Sequence, residues 1–413
     1  MRASAWPLAI ASVGVASRAH AAGPPLTLPE DARSVFVVRN DEPVFAAPEE
    51  RAPRRGSARA DALLPLYAAR RGGGCAGTWL QVGTSAWICD THVRVTAEPP
   101  IEVPPEPPSY PLGLPHRYFW VGPAGSFAYA RLRSAEAGEP DRQLEPGFAL
   151  AILEVRDQPG TREPFGFAAS GQWVPMRDLA PVRPKLFHGE EIVGGQLDLG
   201  WVVSDEAPVF RAPAGARAAS DAAVRFERVS VLERRRSRGA EWVRVAADRW
   251  LRARDLAVPT PAPLPDGLLP GERWIDVDLA SQTLTAYEGE RAVFATLVST
   301  GKGRAGTETA TPRGNHRVWV KLESHDMDNL EDPGAGSYYA IQRVPFVMFF
   351  LRGYGLHGTF WHERFGAVRS HGCVNLAPLD AQRLFHWTSP KLPPGWSAAF
   401  PTPYEPGTLV RVR

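Results

Sequence analysis

The chain has 413 residues, with 47 Lys and Arg against 45 Asp and Glu, a formal net charge of +2. A balance this close to zero excludes a general nucleic-acid or polyanion binder, and 44% hydrophobic residues exclude wholesale disorder. With 38 glycines and 41 prolines the chain favours short strands, turns and stiff linkers over a helical bundle. Three cysteines cannot build a disulfide-dense scaffold or a four-cysteine zinc site. At the start, Arg2 precedes an apolar stretch from Ala3 to Ala16, and Ala19-His20-Ala21 puts small residues at the positions a signal peptidase reads. Residues 1–21 are therefore expected to be a secretory signal, although Pro7 and Gly14 weaken its apolar helix. No later run is apolar for long enough to span a bilayer, so no integral membrane segment is expected.

Next come three related stretches, over residues 33–97, 117–183 and 198–258. Trp79 and Trp87, Phe165 and Trp173, and Trp242 and Trp250 are each eight apart, and Val93, Leu179 and Leu256 each follow six later. The first and third copies share an opening phrase, Glu42 to Pro48 and Ala207 to Pro213; the second has a looser equivalent at Phe127 and Tyr129. Eight is even, so both aromatics of a pair can face one side of a two-residue strand repeat. Gly83-Thr84, Gly171-Gln172 and Ala247-Asp248 read as the turns between them. Each copy thus predicts a small β unit closing with a Trp-bearing hairpin. It resembles the bacterial SH3-like domain of secreted, wall-associated proteins, which implies a wall- or peptide-binding module; the alternative is a spacer whose aromatics are core. Cys75 and Cys89 lie in the first copy. Their spacing alone leaves two buried thiols as open as a disulfide, and export favours the disulfide. Pro-rich segments at 98–116 and 259–271 read as extended linkers. The basic run Arg234 to Arg238 reads as a solvated hairpin tip.

Residues 272–413 have a different pattern. Trp274 to Leu279 alternates apolar and polar, and Leu284 to Ala286, Val293 to Ser299 and Arg317 to Leu322 read as further strands. Pro345 to Leu351 suits a strand buried on both faces, and residues 410–412 supply a last one. Pro378 to Trp387 reads as a helix, with proline in its first turn and Ala381, Leu384 and Phe385 on one face. Six of the ten histidines lie here. The only cysteine of this segment sits in Ser370-His371-Gly372-Cys373-Val374-Asn375-Leu376, and upstream, with 12 residues between it and Ser370, stands His357 in Leu356-His357-Gly358-Thr359. A thiol needs a base or an ion-pair partner to become nucleophilic at neutral pH. His357 and His371 both qualify by residue type, and Gly358 and Gly372 clear space beside them for a substrate backbone.

The two phrases together resemble the L,D-transpeptidase catalytic domain of the YkuD type, as do Ser299-Thr300-Gly301 and Thr311-Pro312-Arg313-Gly314 upstream. The resemblance covers about a third of the chain. It implies that Cys373 is the nucleophile and His357 the general base, oriented through the Gly358 carbonyl. Gly372, Gly358, Ser370 and His371 become oxyanion or orienting residues, and Asn375, Thr359, Tyr338 and Tyr339 substrate-binding candidates. Asn375 stands where many relatives have arginine. The implied reaction is attack of Cys373 on the third-residue carbonyl of a peptidoglycan stem peptide, with loss of the terminal D-alanine. A thioester forms, and an amine of a second stem captures the acyl group. No cofactor and no metal are implied; His357, His371 and Cys373 have no recognised zinc spacing. The resemblance further implies carbapenem acylation, a monomer, and a periplasmic or cell-wall location in a bacterium. The expected architecture is mainly β: three small SH3-like barrels, then a β-rich catalytic domain with one or two short helices. A hydrolase on the same scaffold, acting as carboxypeptidase or endopeptidase, and a wall-binding protein with an inert C-terminal domain are the competing readings.

Overall fold

The computed structural model describes residues 24–102, 109–158, 160–184, 186–330 and 338–413. The expected signal, 1–21, lies outside these, as does the middle of the first Pro-rich segment. The molecule is mainly β, with two α-helices among the described residues, Leu132–Ala137 and Pro378–Trp387. No helix among the described residues is long and apolar enough to cross a membrane.

The sequence repeat is a structural repeat. In each copy the first strand pairs antiparallel with the last: Ser34–Val37 with Val93–Thr96, Arg117–Val121 with Leu179–Pro181, and Leu199–Val202 with Leu256–Ala257. A short 3₁₀ turn precedes each closing strand, at Asp90–His92, Met176–Asp178 and Ala253–Asp255. An edge-to-face aromatic pair recurs at Phe45–Trp79, Tyr129–Phe165 and Phe210–Trp242. The eight-spaced aromatics are buried in all three copies, so they are core residues and expose no shelf for a ligand. The expected barrels are not found: the sheets are open, with no closed barrel among the described residues. Part of the reason is sharing of strands with the C-terminal domain. Arg54–Ala58 pairs with Trp396–Ala399, Ala149 pairs with Ile341, and Glu190–Glu191 pairs with Arg291–Ser299. Cys75 and Cys89 are bridged. The basic run forms the exposed strand Glu233–Ser237 and the turn at Arg238-Gly239, both at positive φ.

The C-terminal domain holds two sheets around one core. In the first, Leu409–Val412 lies between Arg273–Asp278 and Gly314–Arg317, and Thr283–Glu288 and Arg291–Ser299 continue outward. The second contains Val320–Asp328, Ala340–Leu351, Tyr354–Gly358 and Val374–Leu376, with Trp396–Ala399 on its edge. Val298 and Ser299 pair with Leu376 and Asn375, which ties the sheets together. Helix Pro378–Trp387 buries Ala381, Leu384 and Phe385 against Phe346, Met348 and Leu356. At about 25 cal/mol per Å², Leu384 and Phe385 each contribute roughly 1.5–3 kcal/mol. The helix ends over Lys321, whose buried Nζ donates to the carbonyls of Phe385 and Thr388 and whose pKa burial pushes well below the usual lysine range.

Candidate active site

His357 and Cys373 are brought together by a parallel strand pair. Leu356, His357 and Gly358 lie opposite Val374, Asn375 and Leu376. Cys373 directly precedes the second strand, so it stands two residues before the partner of His357. The buried ring of His357 donates from Nδ1 to the Gly358 carbonyl, 3.2 Å away, and Thr359 Oγ1 is 3.4 Å from the same nitrogen. The carbonyl fixes the proton on Nδ1 and leaves Nε2 with its lone pair. Trp361 stacks on the ring at 5.7 Å. Burial pushes His357 down to about 4, against a smaller upward effect of the Gly358 hydrogen bond, so the imidazole is neutral at neutral pH. Burial pushes the Cys373 thiol up, opposed by a backbone hydrogen bond at Gly355. The resting pair is thus a neutral thiol and a neutral base. The thiol contacts the Gly353 carbonyl at 3.6 Å, and among the described residues no hydrogen bond joins Cys373 to His357.

The segment before Cys373 is bent and braced. Gly372 has φ +123°, and a Cβ there would come within 2.4 Å of Tyr354 Cε1. Because of that bend, the two-residue alternation that would put His371 and Cys373 on one face does not apply. His371 is exposed and stacks on Tyr339 at 6.0 Å. Ser370 Oγ donates to the Cys373 carbonyl at 2.5 Å and accepts from Gly372 N–H at 3.1 Å. The Gly372 N–H is therefore already partnered in this conformation and unavailable as an oxyanion donor. Thr311 Oγ1 accepts from Gly301 N–H and donates to the Gly372 carbonyl, both at 2.8 Å. The Thr300 carbonyl accepts from Arg369 and Ser370 N–H at 2.9 and 3.0 Å. The two upstream phrases thus hold the loop that carries Cys373.

Around this centre the remaining candidates divide. Asn375 is buried, and its amide end lies 2.8 Å from His362 Nε2. Arg364 N–H donates to His362 Nδ1 at 3.2 Å. Burial, then Arg369, pushes His362 down to about 4. Tyr339 is held above its usual range by burial and by its nearness to Cys373. Tyr338 is exposed. The sequence leaves His362 open between lining the cleft and a structural role and reads Trp361 as loop packing; it does not show that both sit against the centre. The only available signal was their position, four and five residues after His357, which does not say that the loop folds back.

Residues 272–412 match the model of the YkuD family, an L,D-transpeptidase catalytic domain. Over 127 residues, 30% of this chain and 70% of the other, the sequence is 28% identical to a Bacillus subtilis (strain 168) protein named "Putative L,D-transpeptidase YqjB". A solved Enterococcus faecium L,D-transpeptidase mutant is 24% identical, with 34% of this chain and 50% of that one covered and a TM-score of 0.26. The chain thus spans half the length of that structure. L,D-transpeptidase 3 from Mycobacterium tuberculosis, solved with a faropenem-derived adduct, is 18% identical, with 42% and 77% covered and a TM-score of 0.27. Residues 272–412 form a YkuD-type L,D-transpeptidase catalytic domain.

Proposed function

We propose that the protein is a peptidoglycan L,D-transpeptidase working through a Cys373 thioester. The observation that carries this reading is the register that sets His357 beside the Cys373 turn, with Nδ1 tied to Gly358 and Nε2 left basic. His357 Nε2 takes the thiol proton as Sγ attacks the third-residue carbonyl of a stem peptide. The tetrahedral centre collapses, the C–N bond to D-alanine breaks, and His357 returns the proton to the leaving amine. The amine of a second stem then attacks the thioester, gives up its proton through His357, and leaves a new amide and a free thiol. Thr359 and Asn375, both buried, back this centre at His357 and His362, and Tyr339 stands near Cys373. No cofactor enters this scheme.

Export to the periplasm or wall is part of the same reading, supported by the Cys75–Cys89 bridge. The three preceding β units are read as SH3-like modules, supported by their shared strand order and aromatic pair. Their buried aromatics favour a positioning role over wall binding.

The test is incubation with purified stem peptides, read by mass. Cross-linked dimers that vanish in Cys373→Ser support transpeptidation; trimmed monomers alone would replace it with the hydrolase. A carbapenem should add its mass to Cys373, and its failure to do so would leave the domain inert.

A further inference from the structure

A cleft of about 550 Å³ opens where three parts of the chain meet. Its floor is the 360–369 segment with Trp361, Arg364 and Arg369; its walls are Trp120 and Arg183 of the second unit and Arg225 of the third. Four arginines face two carboxylates, Asp205 and Glu363. Arg225 is committed to structure: it donates to the carbonyls of Val203 and Phe365, the latter at 2.9 Å, and lies 3.7 Å from Asp205. It thereby pins the third unit to the 360–369 segment. Arg183, Arg364 and Arg369 make no side-chain hydrogen bond or ion pair among the described residues. With four arginines against two carboxylates, the lining keeps a net positive charge.

This cleft adjoins the acyl centre. Trp361, on its floor, stacks on His357, and His362 contacts Asn375. Arg369 precedes Ser370, whose hydroxyl holds the Cys373 carbonyl. The positive field reaches the centre, because Arg369 and Arg364 both help hold His362 neutral. An indole wall packs against peptide, and the planar guanidinium fork matches a carboxylate in a two-bond contact. Stem peptides carry free carboxylates along a short backbone.

We infer that the cleft is a carboxylate-binding subsite for a stem peptide, built jointly by the catalytic domain and the second and third repeat units. The inference rests on the transpeptidase reading for the identity of its ligand. It gives the repeat units a part in choosing substrate that neither a spacer nor a separate wall-binding module would have.

The experiment is calorimetric titration of full-length Cys373→Ala protein with a synthetic stem tetrapeptide, compared with the same peptide fully amidated. The free-carboxylate peptide should bind about tenfold tighter, and raising salt should shrink the difference. Arg364→Gln with Arg369→Gln should abolish the preference, and Arg183→Gln, in the second unit, should lower it about threefold. Equal affinity for the two peptides, or a preference unchanged in these variants, would overturn the inference. Should the double variant fail to fold, the exposed Arg183→Gln decides. Carbapenem acylation of unaltered protein reads the chemistry separately. Carboxylate preference without acylation removes the reaction and keeps the subsite; acylation without preference does the reverse.

Discussion

His357 shows how one hydrogen bond and one stacked ring can set a chemical role. Burial makes the imidazole neutral, the Gly358 carbonyl chooses which nitrogen keeps its proton, and Trp361 covers a face. A base depressed to about 4 is already unprotonated well below neutral pH. Carbapenem acylation of Cys373 should therefore stay nearly level from about pH 5.5 to 8 and fall only as pH drops toward 4, with a rise at alkaline pH as the elevated thiol ionises. Timed mass spectra across pH check this; a midpoint near the ordinary histidine value would show that His357 is not the titrating base. Gly372 makes a second residue-scale prediction. Its positive φ and the 2.4 Å approach to Tyr354 leave no place for a methyl group. Gly372→Ala should destabilise the fold by about 1–3 kcal/mol in urea titrations and slow acylation at least tenfold by moving Cys373.

At the scale of elements, helix Pro378–Trp387 was legible because proline, an acidic first turn and an apolar stripe all agree on it. Its anchoring was legible only in part: Asp380 reads as favouring the first turn, but its burial and the part played by Lys321 do not show in the sequence. Lys321 is buried beneath the helix end, and removing it strands the Thr388 carbonyl and leaves that of Phe385 with Thr388 Oγ1 alone. Lys321→Ala should cost about 2–4 kcal/mol by chemical denaturation. Asp380 is buried at the other end, accepting from Thr296 and from Gly189 N–H at 2.9 Å, and burial pushes it up to about 6. The folded protein thus holds this proton more tightly than the unfolded chain. The contribution of Asp380 to stability should fall as pH rises from about 4 to 6, by roughly 1–3 kcal/mol, and level off above. Asp380→Asn should remove that slope in stability measured against pH. The strands Val374–Leu376 and Trp396–Ala399 were missed, because three- and four-residue runs carry too little periodicity to stand out.

Across the whole molecule, the first two units are docked on the catalytic domain through shared strand pairings, and the third, whose sheets are its own, through Arg225 and the Phe365 carbonyl. Gly56 lies in the seam, paired with Ala399, where a Cβ would meet the Ala398 carbonyl at 2.1 Å. Trp396, from the catalytic domain, fills the core of the first unit. Gly56→Val should uncouple that unit, splitting a single calorimetric unfolding transition into two; one unchanged transition would show that the seam does not hold them together. The repeats were legible from aromatic spacing, since an even separation on strands keeps both rings on one face. Their openness was not, because strand partners from another unit leave no trace in local pattern.

The amino-acid sequence alone determined the chemical vocabulary: a cysteine and a histidine in two short phrases, a thrice-repeated aromatic spacing, and a helix bounded by proline. These are local, so period and residue type suffice to read them. Tertiary structure alone decided the register that sets His357 across from the strand after Cys373, that Gly372 turns His371 away, and that arginines far apart in the chain converge beside Trp361. Each depends on register, bend or packing between distant segments, where energies are set by contacts that adjacent residues do not encode.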